Sequence, residues 1–214
     1  MEYGTKQLQI IEVAEGLFAK KGFAGTSIRD IAQEADINVS MISYYFGSKE
    51  KLIEALFSVR MAETETTMVN ILENQDLTAM QKVNIWLDSV VGRFMFRKNF
   101  HNIVMREQLS SNRSETITAF IMDLKMRHID LMKQLISLGI REGVFKENLD
   151  MSLMMTTIYG TVNQAIANQD FYRRLNQLEH LSEEEFNLYL LEKLKVHLKF
   201  IFINSVSNEQ QGLN

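Results

Sequence analysis

The sequence has no cysteine and no proline among its 214 residues. Without cysteine the chain forms no disulfide, no thiolate metal site and no thiol nucleophile, which suits a reducing cytoplasm. Average proline usage of ~5% would place about ten in a chain of this length. Proline breaks helices and starts turns, so a chain lacking it can run long helices without interruption. No apolar run approaches the ~20 residues that span a bilayer. The opening Met1-Glu2-Tyr3-Gly4-Thr5-Lys6-Gln7 lacks the apolar core of a signal peptide. A cytoplasmic protein with no membrane partner is the expectation. Positive charge is not in excess either: 27 acidic against 23 basic residues leave a net charge of −4. That balance argues against coating nucleic acid through bulk charge and leaves room for a local DNA-reading face.

Apolar residues make up 46% of the chain, enough to bury a sizeable core. They recur at helical spacing almost everywhere, with no sustained alternation of period two. The spacing predicts an all-α protein of about nine helices, near residues 5–21, 27–34, 38–46, 49–73, 77–97, 99–109, 113–141, 150–168 and 183–205. Lys20-Lys21-Gly22 closes the first helix, with basic residues in the last turn and glycine at the cap. Ser27 with Asp30 reads as a capping box, and Asn38 and Ser48 can cap the helices that follow. Asn74-Gln75-Asp76, Ser110-Ser111-Asn112 and the stretch from Gly143 to Asn148 are breaks, and the tail after Ser205 is polar.

Residues 26–49 read TSIRDIAQEADINVSMISYYFGSK. Two helices of about eight residues flank a tight turn, the arrangement that places a second helix in the DNA major groove. Ile28, Ile31, Ala32, Ile37, Ile42 and Phe46 can hold the pair together. Asp36 stands where the turn needs a left-handed residue, which Asp tolerates. Val39, Ser40, Met41, Ser43, Tyr44 and Tyr45 are left facing outward or nearly so. Tyr44, Tyr45 and Lys49 can donate to phosphates, as can backbone amides at helix starts. A plain helical hairpin in an all-α core would show the same spacing, but it would have no use for exposed Val39, Met41 and paired tyrosines.

From Ile10 to Phe57 the sequence resembles the DNA-binding domain of the TetR/AcrR family of bacterial transcriptional regulators. The resemblance is carried by Ala14, Leu17, Phe18, Gly22-Phe23, Thr26-Ser27-Ile28, Asp30-Ile31-Ala32, Ala35, Ile42, Tyr44-Tyr45-Phe46, Ser48-Lys49-Glu50 and Leu52. It implies a three-helix DNA-binding domain over residues 1–50 and an effector-binding and dimerisation domain over residues 51–214. It further implies a homodimer on a double-stranded operator, acting as a repressor that a small effector releases. By the same resemblance Arg29, Val39, Ser40 and Met41 would face bases, and Ser27, Ser43, Tyr44, Tyr45 and Lys49 would hold phosphates. Val39, Ser40 and Ser43 depart from the family pattern, where Lys or Arg, Gly and Tyr are frequent. Fewer charged contacts imply a shallower salt dependence.

The helix near 113–141 is apolar on two faces, one through Ile117, Ile121, Leu124, Leu131, Leu135 and Leu138, the other through Met122, Met126, Ile129, Ile136 and Ile140. Such a helix belongs in the middle of a bundle. His128 lies on the first stripe, either as a core histidine satisfied by a carbonyl or carboxylate, or as the polar anchor of an effector cavity. Thirteen methionines, many in the later helices among aromatics, suit either an irregular core or a pocket for an apolar or amphipathic effector. Trp86, Phe96, Phe120, Met126, His128 and Tyr159 are the candidate pocket residues. In the family the last two helices pair across a dimer, which here implicates Met155, Val162, Ile166, Leu190, Leu194 and Ile201, with Gly160 allowing close approach.

Nothing points to an enzyme. None of His101, His128, His180 and His197 has the partners of a metal site, there is no glycine-rich phosphate loop, and no catalytic, metal or cofactor residue is nominated. Glu183-Glu184-Glu185 reads as acid in the first turn of a helix. The alternative is a helix-turn-helix regulator that activates, or that answers to a protein partner rather than a small molecule.

Overall fold

The structure, a computed structural model, describes residues 3–110 and 114–207. Ser111-Asn112 of one expected break, and the tail beyond Ser207, lie outside the described residues. Among the described residues ten helices follow one another: α1 Thr5–Lys21, α2 Ile28–Glu34, α3 Val39–Phe46, α4 Lys49–Glu73, α5 Ala79–Phe96, α6 Lys98–Leu109, α7 Glu115–Arg141, α8 Met151–Ala167, α9 Gln169–Leu175 and α10 Glu183–Val206. One isolated bridge, Phe145 to Ser207, is the only extended pairing among the described residues. The all-α expectation holds, with one helix more than the spacing predicts. That helix is α9, seven residues that bury no side chain and so carry no apolar stripe to announce them. No helix among the described residues is long and apolar enough to cross a membrane.

The helix starts are set chemically. Ser27, Thr78 and Ser182 each accept from the amide three residues on, and Asp30, Gln81 and Glu185 return the bond in capping boxes. Asn38 and Asp150 cap α3 and α8 by the same kind of acceptor. Each cap satisfies an amide that has no partner inside its helix.

Two compact units emerge, the first from Met1–Thr66 with Lys98–Met126, the second from Thr67–Arg97 with Arg127–Asn214. Both α4 and α7 contribute to each. In the first unit Ile10, Ile11, Ala14 and Phe18 of α1 pack with Ile31 and Ala32 of α2, Ile42 and Phe46 of α3, and Leu52, Ile53, Leu56 and Phe57 of α4. Ile103, Ile117 and Ile121 complete this core. Each large side chain so buried contributes about 1.5–3 kcal/mol. Within that unit Glu15 and Arg60 form a buried ion pair at 2.7 Å, and Arg60 also bonds Glu63 at 2.8 Å. Burial works against the Arg60 charge, but the two carboxylates outweigh it and raise its pKa.

In the second unit Val83, Trp86, Leu87, Val90 and Val91 of α5 pack with Leu190, Leu194, Leu198 and Phe202 of α10, and Met155, Ile158 and Val162 of α8 join them. A Cβ on Gly139 would lie 1.9 Å from the Phe145 ring, so only glycine lets that loop fold back on α7. The two-stripe expectation for α7 is corrected: Ile117, Ile121, Met132, Leu135 and Ile136 are buried, whereas Met122 and Met126 are 59% and 49% exposed. The second stripe is open only toward the start of α7, because Ile136 of that stripe is buried and Ile129 and Ile140 pack partly buried on the core.

Removing one partner of a buried ion pair leaves the other charge unpaired, which costs about 3–5 kcal/mol, while replacing both by apolar groups costs far less. Glu15→Ala therefore destabilises the chain by about 3 kcal/mol, the low end because Glu63 still answers Arg60. Glu15→Leu with Arg60→Met recovers most of that loss in urea unfolding. Equal losses in the single and double variants would contradict this.

Candidate functional site

The α2–turn–α3 segment is held from beneath and left open above. Asp36 adopts φ 50° in the turn, and the amide of Ile37 donates to the Ala32 carbonyl at 3.0 Å. This left-handed residue turns the chain sharply enough for Ile42 and Phe46 to reach the core formed by Ile31 and Ala32. Ala32 is 2% exposed, a small side chain at the crossing of α2 and α3.

The nominated DNA-facing residues separate by exposure. Arg29, Ser40 and Ser43 are exposed, as are Val39 at 40% and Tyr44 at 83%. Met41 is half-buried. Tyr45 is half-buried against the core, edge-on to Tyr44 at 5.2 Å and to Phe46 at 6.4 Å. Val39 and Tyr44 lie outside the core that anchors this eight-residue helix, so their exposed surfaces are open to a partner.

Two of the nominated phosphate donors are already engaged within the fold. The Ser27 hydroxyl donates to the Asp30 carboxylate, which also takes the Lys21 ammonium at 3.1 Å. Ser27, first by its side chain and then by its backbone, and then Lys21 hold the Asp30 carboxyl far below the usual carboxylate range. Lys49 donates to the carbonyls of Phe23 and Thr26, both at 3.0 Å. Its ammonium also sits 4.3 Å from the centre of the Phe23 ring. Lys49 thus ties the α1–α2 loop to the first residue of α4, a structural duty that sequence spacing does not reveal. The Thr26 hydroxyl reinforces that loop by donating to Gly22 at 2.8 Å.

The six nominated effector residues do not share one environment. Trp86 is 2% exposed and lies edge-on to Phe202 at 6.3 Å. Phe96 is 68% exposed. Phe120 stacks on Phe57 at 5.6 Å in the core of the first unit, and Met126 is exposed. Only His128 and Tyr159 meet, through a bond of 3.3 Å between the phenol and Nδ1. Phe94 stacks on Tyr159 at 5.6 Å. Arg93, which spacing did not single out, donates from Nη1 to Ser89 at 3.0 Å and acts electrostatically on both His128 and Tyr159. Burial raises the Tyr159 phenol to about 12 against a smaller opposing effect of Arg93. Among the described residues no group of three or more His, Asp or Glu side chains could hold a metal ion.

The nominated dimer stripe needs correction. Met155, Val162, Leu190 and Leu194 are 5%, 0%, 1% and 5% exposed and belong to the unit's own core, and Ile166 and Ile201 are half-buried. The apolar side chains left outside on α8 and α10 are Leu153, Leu188, Val196 and Phe200. Gly160 is exposed with nothing near the place of a Cβ, so it serves no close approach within the unit. Spacing identified apolar stripes on both helices but took the inward one for the outward one.

Burial, and then the Arg93 charge, lower the His128 pKa to about 4 from a usual 6.5. The unfolded chain therefore takes up a proton between these values that the folded chain refuses. Stability supplied by neutral His128 is complete above pH 6.5 and falls by about 1.4 kcal/mol per pH unit on acidification toward 4. From pH 7 to pH 5 the wild type should lose about 2 kcal/mol more than His128→Gln in urea unfolding. Parallel losses in the two proteins would contradict this environment for His128.

Residues 10–56 match the family model for bacterial regulatory proteins of the tetR family. Residues 57–192 match the model for the C-terminal region of YsiA-like proteins. The fatty acid metabolism regulator protein of Bacillus subtilis (strain 168) is 25% identical over 162 residues, 75% of this chain and 81% of that protein. The ketosteroid transcriptional regulator KstR2 of Mycobacterium tuberculosis superposes with a TM-score of 0.67 at 18% identity, over 97% of this chain and 98% of that one. The transcriptional regulator FadR from Bacillus subtilis in complex with stearoyl-CoA gives a TM-score of 0.62 at 23% identity, over 89% and 96%. With a DNA-binding match over its helix-turn-helix and a regulatory match over most of the remainder, the chain belongs to the tetR family of bacterial regulatory proteins, ligand-responsive regulators that bind DNA.

Proposed function

We propose that the chain is a cytoplasmic, homodimeric repressor that reads a double-stranded operator with α3 and leaves it when an amphipathic small molecule occupies the second unit. The observation that carries the reading is the outward face of α3. Val39, Ser40, Ser43 and Tyr44 are exposed on a helix whose own anchoring is complete without them. Val39 can pack against a thymine methyl, and hydroxyls can bond base edges or phosphates. Arg29 supplies a cation from α2, and Tyr45 offers its phenol to the backbone.

One short helix reads few bases, so a two-fold operator requires two copies. Leu153 on α8 with Leu188, Val196 and Phe200 on α10, exposed at 65%, 53%, 67% and 66%, are the surface we assign to the second copy. Large apolar side chains left in water on these two helices suit a partner. The relatives named for fatty acid metabolism and for ketosteroids, and the one holding stearoyl-CoA, support an effector with an extended apolar body. Effector binding would act by population shift, through its different affinities for the DNA-competent and released states. Helix α4 is continuous from Lys49 to Glu73 and would transmit the choice between them. We assign the chain no enzymatic reaction.

Band shifts with DNA from upstream of the gene test this reading. Specific retention that stearoyl-CoA or stearate relieves supports it, and no retention at low salt overturns it. Val39→Ala should change the preference between cognate and scrambled duplexes. Tyr45→Phe should weaken both alike without lowering the melting temperature, whereas Lys49→Ala should weaken both and also lower it. Equal behaviour of all three variants on both duplexes would contradict the division of roles.

A further inference from the structure

Arg93 on α5 is half-buried and stands apart from the other arginines of the core. Its guanidinium has one acceptor, the Ser89 hydroxyl, and among the described residues no carboxylate pairs with it. Burial lowers its pKa, with only a weak opposing contribution from the Tyr159 phenol. The buried ion pair of the first unit shows the ordinary solution, in which Arg60 meets Glu15 and Glu63. Arg93 has no such carboxylate, so within the fold its charge stands without a counter-charge.

Shielded polar atoms without partners lie on the neighbouring helices. His128 uses Nδ1 for Tyr159, and its Nε2 is shielded from solvent with no partner. With Tyr159 donating to Nδ1, the single proton of the neutral imidazole lies on Nε2, a buried donor without an acceptor. One turn beyond Tyr159 on α8, the Asn163 side-chain oxygen is also buried and unpartnered. Phe94, stacked on Tyr159, gives the group an apolar wall.

We infer that Arg93, with His128 and Tyr159, forms a subsite of the second unit that binds the carboxylate of an amphipathic acid, so that the effector is recognised by a free acid head and not by an apolar body alone. This rests on the reading of that unit as the effector-holding part. The guanidinium fork presents parallel donors that match the two oxygens of a planar carboxylate. A single cation answers a monoanion, whereas a phosphate dianion would call for more positive charge than the group holds. His128 supplies a neutral donor for a remaining lone pair, and Phe94 receives the first methylenes of an alkyl chain.

The test uses the intact chain, dodecanoate as probe and 1-dodecanol as its neutral counterpart, with affinity from calorimetry and operator retention followed in parallel. The wild type should bind dodecanoate at least tenfold more tightly than dodecanol. Arg93→Met should erase that preference and leave dodecanol binding unchanged. The same variant should keep the wild-type melting temperature, because the fold takes only the Ser89 hydrogen bond from Arg93. An unchanged melting temperature shows that lost binding is not lost folding. Tyr159→Phe should weaken dodecanoate binding less than Arg93→Met does. Equal affinity for acid and alcohol, no binding of dodecanoate, or an acid preference that survives Arg93→Met overturns the inference. Operator retention that responds to no amphipathic molecule defeats the broader proposal instead, a result the calorimetry of Arg93→Met reports separately.

Discussion

Helix α3 has eight residues, too few to persist alone in water, so all it presents to a partner depends on how it is held. Ile42 and Phe46 anchor it in the core, Asn38 caps its start, and the left-handed Asp36 sets its angle to α2. Beneath this pair the Lys49 ammonium joins two loop carbonyls to the start of α4. These contacts use inward and basal groups only. The outer face is therefore unencumbered, which is the condition for reading a second molecule.

The two units handle their arginines in opposite ways. The first closes Arg60 on two carboxylates and gains a fixed α1–α4 register. The second leaves Arg93 without a carboxylate and His128 Nε2 without a partner beside an aromatic wall. A satisfied network specifies a fold, and a partly satisfied one is stability forgone at a place where a ligand can restore it. The difference follows the division of labour expected of a regulator, in which one part must hold its shape and the other must respond.

Much of the fold was legible because its signals are local. Ser27, Asn38 and Ser48 mark helix starts that the structure caps as read, and a 3.6-residue repeat recovers the long helices. Helix α9 escaped because Gln169–Leu175 is short and buries nothing. The helix-turn-helix was legible down to Asp36, since turn chemistry is local too. What failed was non-local. An apolar stripe on α8 or α10 does not say whether it meets its own chain or another, so Met155, Val162, Leu190 and Leu194 were assigned outward although they are core. The aromatic and methionine set scattered for the same reason. Arg93 was passed over because a charged residue on an amphipathic helix reads as surface, and only its missing partner in three dimensions marks it.

The cations near α3 are few, and several are engaged. Lys21 pairs with Asp30 and Lys51 with Glu54, which leaves Arg29 and the carbonyl-bound Lys49 as the nominated cations that no carboxylate neutralises. If two copies read DNA through α3 with hydroxyl, amide and apolar groups, affinity must depend weakly on salt. Anisotropy of a labelled operator duplex, titrated with the intact chain at a series of salt concentrations, measures this directly. At roughly −0.9 per neutralised phosphate, two cations from each copy give a slope of log K on log salt of about −4. A slope of about −8 or steeper would show that cations elsewhere carry the binding and would contradict a reading by α3.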